Sequence, residues 1–90
     1  MIRVTVYSTA TCPICEVTKA NLKKWKIPYR ERRVDQDREA LKEMLNVTRH
    51  ARTVPQIIID DRWIGGFDEL TELHMEGTLD PLMDDGDPQP

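Results

Sequence analysis

Apolar residues recur along the chain with two different periods, and the switches between them mark out the elements. Arg3 to Tyr7 alternates polar and apolar positions, with Val4 and Val6 on one face, and predicts a strand. Thr9, Ala10 and Thr11 form a short loop. Ile14, Val17, Leu22 and Trp25 then recur at near-helical spacing, with lysines at positions 19, 23, 24 and 26. Pro13 suits the first position of that helix, because its φ is already helical and the N–H it lacks would have no partner there. Ile27-Pro28 ends the helix.

Tyr29 to Val34 predicts a second strand in spite of its charges. Asp35 or Asp37 can cap a second helix, Arg38 to about Val47, whose buried stripe would be Leu41, Met44 and Leu45. Thr48 to Thr53 is a polar, basic loop. Gln56 to Ile59 is a short apolar strand, Asp60-Asp61 turns the chain, and Arg62 to Ile64 returns it as a hairpin partner. Gly65-Gly66 breaks the pattern. Asp68 can cap a third helix, with Leu70 and Leu73 inward and Gly77 as its stop.

The order is therefore β-α-β-α-β-β-α. A βαβ unit requires a parallel pair with a right-handed crossover, and the later hairpin adds antiparallel strands. The economical solution is an α/β fold, a four-stranded mixed sheet flanked by three helices. Residues 1–82 make one domain. Residues 83–90, rich in Asp, Gly and Pro, are expected to be an acidic, flexible tail. No internal repeat or linker interrupts the chain.

Composition narrows the class. Apolar residues make up 39% and charged residues 32%, which fits a folded soluble domain rather than a disordered one. The net charge of −3 is concentrated at the end, where Asp80, Asp84, Asp85 and Asp87 lie; the rest has 12 acidic against 13 basic residues. Nothing builds a basic stripe for nucleic acid. No apolar run approaches the roughly 18 residues of a membrane span. No signal peptide is visible, since Met1 leads straight into the strand pattern, so the expected compartment is the cytoplasm. No feature calls for an oligomer, and a monomer is expected.

Cys12-Pro13-Ile14-Cys15 carries the chemistry. Two cysteines this close cannot staple a scaffold, and in a cytosolic chain the pair points to redox or metal chemistry. Zinc would need two more ligands, and His50 and His74 have no suitable spacing, so no metal site is assigned. With Pro13 as the first helical residue, Cys12 is the N-cap, near the free amides of Ile14 and Cys15 and the positive end of the helix dipole. Both effects favour thiolate and should lower the Cys12 pKa below its ordinary value of about 8.5. Cys15, one turn in, should stay protonated. Cys12 is then the attacking thiolate, and Cys15 resolves the mixed disulfide.

Three motifs stand in order: Cys12-Pro13-Ile14-Cys15, Thr53-Val54-Pro55 and Gly65-Gly66-Phe67-Asp68. Together with Ala51-Arg52-Thr53-Val54-Pro55-Gln56 and Leu79-Asp80-Pro81-Leu82, they resemble the dithiol glutaredoxins of the thioredoxin-like superfamily, over about residues 3–82. The resemblance implies a glutathione-dependent thiol–disulfide oxidoreductase, with glutathione as co-substrate and no tightly bound cofactor. Its substrates would be disulfide-containing or glutathionylated proteins, with ribonucleotide reductase as a candidate partner. It implies a cis Pro55 that presents the Val54 backbone to an incoming cysteinyl residue, with Thr53 beside it. It also implies that the amides of Phe67 and Asp68, after Gly66, hold the γ-glutamyl carboxylate, and that the Asp68 side chain takes the amine.

The sequence departs from the family at three places. Ser8 takes the position, after the first strand, where relatives often carry a Lys. Lys42 is the substitute assigned to the glycyl carboxylate, with Arg49 and Arg52 as weaker candidates. Ile14 stands where Tyr or Phe is common, which should change partner preference more than chemistry. Phe67 stands where Cys or Ser is frequent. Two alternatives remain. One is a redoxin fed by thioredoxin reductase and donating electrons to ribonucleotide reductase, which Trp63-Ile64-Gly65-Gly66-Phe67 faintly suggests. The other is a dimer holding an iron–sulfur cluster through Cys12 and glutathione, against which Pro13 argues.

Overall fold

A computed structural model describes residues 2–83. Its elements are β1 (Val4–Ser8), α1 (Pro13–Lys24), β2 (Tyr29–Arg33), α2 (Arg38–Val47), β3 (Gln56–Ile59), β4 (Arg62–Gly65), α3 (Phe67–Met75) and a 3-10 turn over Asp80–Leu82. The expected order is observed. The strands form one mixed sheet in the order β2-β1-β3-β4, with β1 parallel to β2 and antiparallel to β3, and β3 antiparallel to β4. Of the expected tail, Met83 packs partly buried against the core, and residues 84–90 lie outside the described residues.

Strand alternation sorts the core onto the two faces of the sheet. Val4, Val6 and Ile57 point to one face and meet Leu22 of α1, Leu70 of α3 and Leu79. Tyr7 and Ile58 point to the other and meet Met44 of α2. Each fully buried Leu or Ile contributes roughly 1.5–3 kcal/mol of burial. The charges that weaken β2 as a strand are explained by its place at the sheet edge, where only one side of the backbone is paired.

Two expected stripes are corrected. On α1 the buried residues are Cys15, Thr18 and Leu22, while Ile14 and Val17 are 48% and 44% exposed. Thr18 can be buried because its hydroxyl donates to the Ile14 carbonyl at 2.8 Å. On α2 the buried residues are Ala40 and Met44, with Leu41 and Leu45 only partly covered. Hydropathy ranks side chains, but the face a helix turns inward is set by the sheet beneath it, and a small Ala packs closer than a Leu.

All three helices end alike. The residue after the cap is left-handed, Lys26 (φ 59°), Arg49 (φ 54°) and Gly77 (φ 81°), and the next amide returns to the third-last helical carbonyl. These bonds are Ile27 to Leu22 at 2.9 Å, His50 to Leu45 at 2.7 Å and Thr78 to Leu73 at 3.0 Å. Only the last has the glycine that this conformation favours.

Candidate active site

The loop from β1 reaches α1 at Cys12, which is the N-cap with an extended backbone (φ −109°, ψ 101°). Its Sγ accepts the Cys15 amide at 3.0 Å. This is the third helical amide, one of those left unpaired by the start of a helix. Cys12 and Cys15 are joined as a disulfide, with their Cα atoms 5.2 Å apart. Cys15 is fully buried and Cys12 remains partly accessible. The two sulfurs thus differ in access as their positions in the helix require.

The loop before Cys12 is tied down from outside its own segment. The Ala10 amide donates to Asp35 at 3.0 Å, and Arg33 grips the same carboxylate through two bonds of 2.9 and 2.8 Å. Arg33 first, then the Ala10 amide, hold the Asp35 carboxyl well below the usual range. The helix cap is Asp37, whose carboxylate accepts from the Glu39 and Ala40 amides. Asp35 therefore serves the loop before Cys12 rather than α2, a role that no local pattern signals.

Ser8 is also corrected. It is the last residue of β1 and fully buried, so it is not a loop residue that could approach a ligand. Its hydroxyl donates to Glu31 at 2.5 Å, and Lys19 donates to the same carboxylate and to Glu16, each at 2.8 Å. Burial works to raise the Glu31 carboxyl, but the bonds from Lys19 and Ser8 outweigh it and hold it low. The bonds from Glu16 and Glu31 raise Lys19 in turn. Through Glu31, Lys19 ties α1 to β2.

The Val54–Pro55 bond is cis, as the family resemblance implied, and the Val54 carbonyl oxygen lies 3.8 Å from Cys12 Sγ. The β4–α3 corner closes against this loop. A Cβ on Gly66 would stand 3.2 Å from the Pro55 carbonyl oxygen, and Gly65 is left-handed (φ 111°). Gly66 is the N-cap of α3, and its amide donates to Glu69 Oε1 at 2.8 Å. Glycine has no side chain to return that bond, so no side chain caps the first amides of α3. The cap is not Asp68, the residue the sequence offers for that role. Asp68 is the second helical residue, with its side chain in solvent.

These segments border one groove of about 710 Å³. Thr53, Val54 and Pro55 form part of its lining, and Gly66, Phe67 and Asp68 another part, with Ile14 also among them. Lys42 lies exposed on α2, and neither it nor Arg49 nor Arg52 is among the lining residues. Gln56, Trp63, Ile64, Gly65 and Glu69 also line the groove without having been assigned to the site from sequence, and among them Gln56 and Trp63 are hydrogen-bonded to each other at 2.8 Å. Trp63 reads from sequence as a packing residue, yet it is 41% exposed.

Among the described residues, no group of three or more His, Cys, Asp or Glu could hold a metal ion, and no helix is long and apolar enough to cross a membrane.

Comparison with known proteins agrees with this geometry. The Glutaredoxin family model matches residues 4–64. Glutaredoxin 3 of Escherichia coli K12 is 40% identical over 84 residues, covering 92% of this chain and 99% of that protein. A probable glutaredoxin of Synechocystis sp. is 38% identical over 81 residues, covering 90% and 92%. A crystal structure of a buckwheat glutaredoxin–glutathione complex superposes with a TM-score of 0.77 at 28% identity, covering 90% of this chain and 76% of that one. The solution structure of a dithiolic glutaredoxin from Trypanosoma brucei brucei gives 0.76 at 32% identity, covering 92% and 88%. With a half-accessible N-cap cysteine, a buried partner one turn on and a cis-proline beside them, the chain belongs to the glutaredoxin family of thiol–disulfide oxidoreductases.

Proposed function

We propose that this glutaredoxin reduces protein disulfides and protein–glutathione mixed disulfides at the expense of glutathione. The observation that carries this is the groove shared by the Thr53–Pro55 loop, beside the Cys12 sulfur, and the uncapped amides that begin α3. Those amides and the helix dipole favour a carboxylate. Asp68 beside them offers a partner for an ammonium. A γ-glutamyl group carries both charges on one carbon. The buckwheat relative is a glutathione complex, which supports the same occupant here.

In the reduced protein, the Cys12 thiolate attacks the glutathione sulfur of a mixed disulfide. A Cys12–glutathione disulfide forms and the protein thiolate leaves. A second glutathione thiolate then attacks that glutathione sulfur, freeing Cys12 and yielding glutathione disulfide. With a protein disulfide, Cys12 forms the mixed disulfide with the protein. Cys15, once deprotonated, attacks the Cys12 sulfur and releases the protein dithiol. Two glutathiones reduce the resulting Cys12–Cys15 disulfide. The Val54 backbone pairs with the backbone of the incoming cysteinyl residue, with Thr53 and cis Pro55 holding it there. Lys42 is assigned to the glycyl carboxylate, reaching the ligand from outside the groove's lining.

The test is a coupled assay with glutathione and glutathione reductase, run against one with thioredoxin reductase. Turnover of a glutathionylated peptide in the first supports the reading, and turnover in the second alone overturns it. Lys42→Ala should raise KM for the glutathionylated peptide, and an unchanged KM removes Lys42 from the site.

A further inference from the structure

Gln56 follows the cis-proline directly and is only 6% exposed, so both ends of its carboxamide need partners. Nε2 donates to the Thr53 carbonyl at 3.0 Å and to Thr53 Oγ1 at 3.1 Å. Oε1 accepts the Trp63 indole N–H at 2.8 Å. An indole nitrogen can only donate, so Trp63 fixes which way the carboxamide faces. The orientation set by Trp63 aims both Gln56 donors back across Pro55 at Thr53.

Trp63 stands next to a bulge. Ile58 pairs with Trp63 and Ile57 with Gly65, so Ile64 is an extra residue on β4. Bulges of this kind redirect a side chain. The chain of contacts therefore runs from the β4 bulge through Trp63 and Gln56 to Thr53, beside Val54.

We infer that Trp63 and Gln56 are positioning residues that hold the Thr53-Val54-Pro55 backbone in register for the cysteinyl residue of an incoming disulfide. Without the indole donor, Gln56 Oε1 is a buried acceptor with no partner, and the carboxamide is free to turn its donors away from Thr53. The inference rests on the reading that the disulfide substrate lies along this loop. It does not require that the substrate contain glutathione.

The experiment is a double-mutant cycle with Trp63→Phe, which keeps an aromatic ring but loses the N–H, and Gln56→Met, which keeps the length but loses the amide. KM and kcat are measured on a glutathionylated peptide and on a disulfide between two cysteinyl peptides. The rate of Cys12 alkylation by iodoacetamide, which needs no loop contact, is the control. Each single variant should raise KM about three- to tenfold, with alkylation unchanged. The double variant should be no worse than the worse single, since both remove one relay.

Additive effects on KM would mean that Trp63 only touches substrate, and would overturn the relay. An unchanged KM, or alkylation that slows in parallel, would do the same. If Gln56→Met does not fold, Trp63→Phe decides alone, through the split between KM and alkylation. Should the wild-type protein reduce the peptide disulfide but not the glutathionylated peptide, the glutathione reading falls and the cycle is still read on the first. Should it reduce neither, both readings fall.

Discussion

The Cys12 sulfur accepts the Cys15 amide at 3.0 Å, while the Cys15 side chain that would resolve its mixed disulfide is fully buried. One residue thus supplies both the donor that favours an anionic attacking sulfur and the second thiol. The asymmetry predicts distinct outcomes for the two serine variants. Cys12→Ser should abolish all reduction. Cys15→Ser should retain reduction of glutathionylated peptide and lose dithiol reduction of protein disulfides. Activity in Cys12→Ser, or protein-disulfide turnover by Cys15→Ser without excess glutathione, contradicts the assignment.

Asp68 projects from the first turn of α3 at the border of the groove. Replacing it with Ala should remove one charge-assisted contact to the γ-glutamyl amine, worth about 1–3 kcal/mol. KM for a glutathionylated peptide should rise accordingly, with kcat little changed. Steady-state kinetics on wild type and variant decide this, and an equal KM places the amine elsewhere.

The Ala10–Asp35 bond gives the loop before Cys12 a pH dependence. Asp35 has a lowered pKa in the folded protein, so its contribution to stability is complete above the ordinary carboxylate pKa of about 4 and is lost as pH falls below it. Asp35→Asn should remove this acid-range loss from the pH profile of unfolding, and should loosen Ala10 at neutral pH. Hydrogen exchange of the Ala10 amide checks the second point, and a rate equal to that of wild type counts against it.

Lys26 occupies the left-handed position that ends α1, far along the helix from Cys12. A non-glycine residue there is strained by about 1 kcal/mol. Lys26→Gly should therefore stabilise the fold by roughly 0.5–1 kcal/mol, after the extra chain entropy that glycine loses on folding. Urea denaturation measures the change. A destabilised variant would mean that the Lys26 side chain contributes more than its backbone strain costs.

Much of the chain was legible by pattern. Period two marked β1, a short apolar run marked β3, Pro13 marked the start of α1, and Gly77 marked the stop of α3, because each depends on the preferences of neighbouring residues. The cap of α3 was misread because Asp is a good cap anywhere, and only the reach of Glu69 back to the Gly66 amide selects Gly66.

The sequence by itself determined the order of elements and the pairing of an N-cap thiol with a second thiol one turn inside, since both follow from local spacing along the chain. Only the tertiary structure decided which groups surround that thiol. Asp35 at Ala10, the Ser8–Glu31–Lys19 network and the Trp63–Gln56–Thr53 relay each join residues from different elements. Their hydrogen bonds exist because the sheet lays β2, β1, β3 and β4 side by side, and no periodicity within one segment encodes which side chains that packing brings within hydrogen-bonding distance.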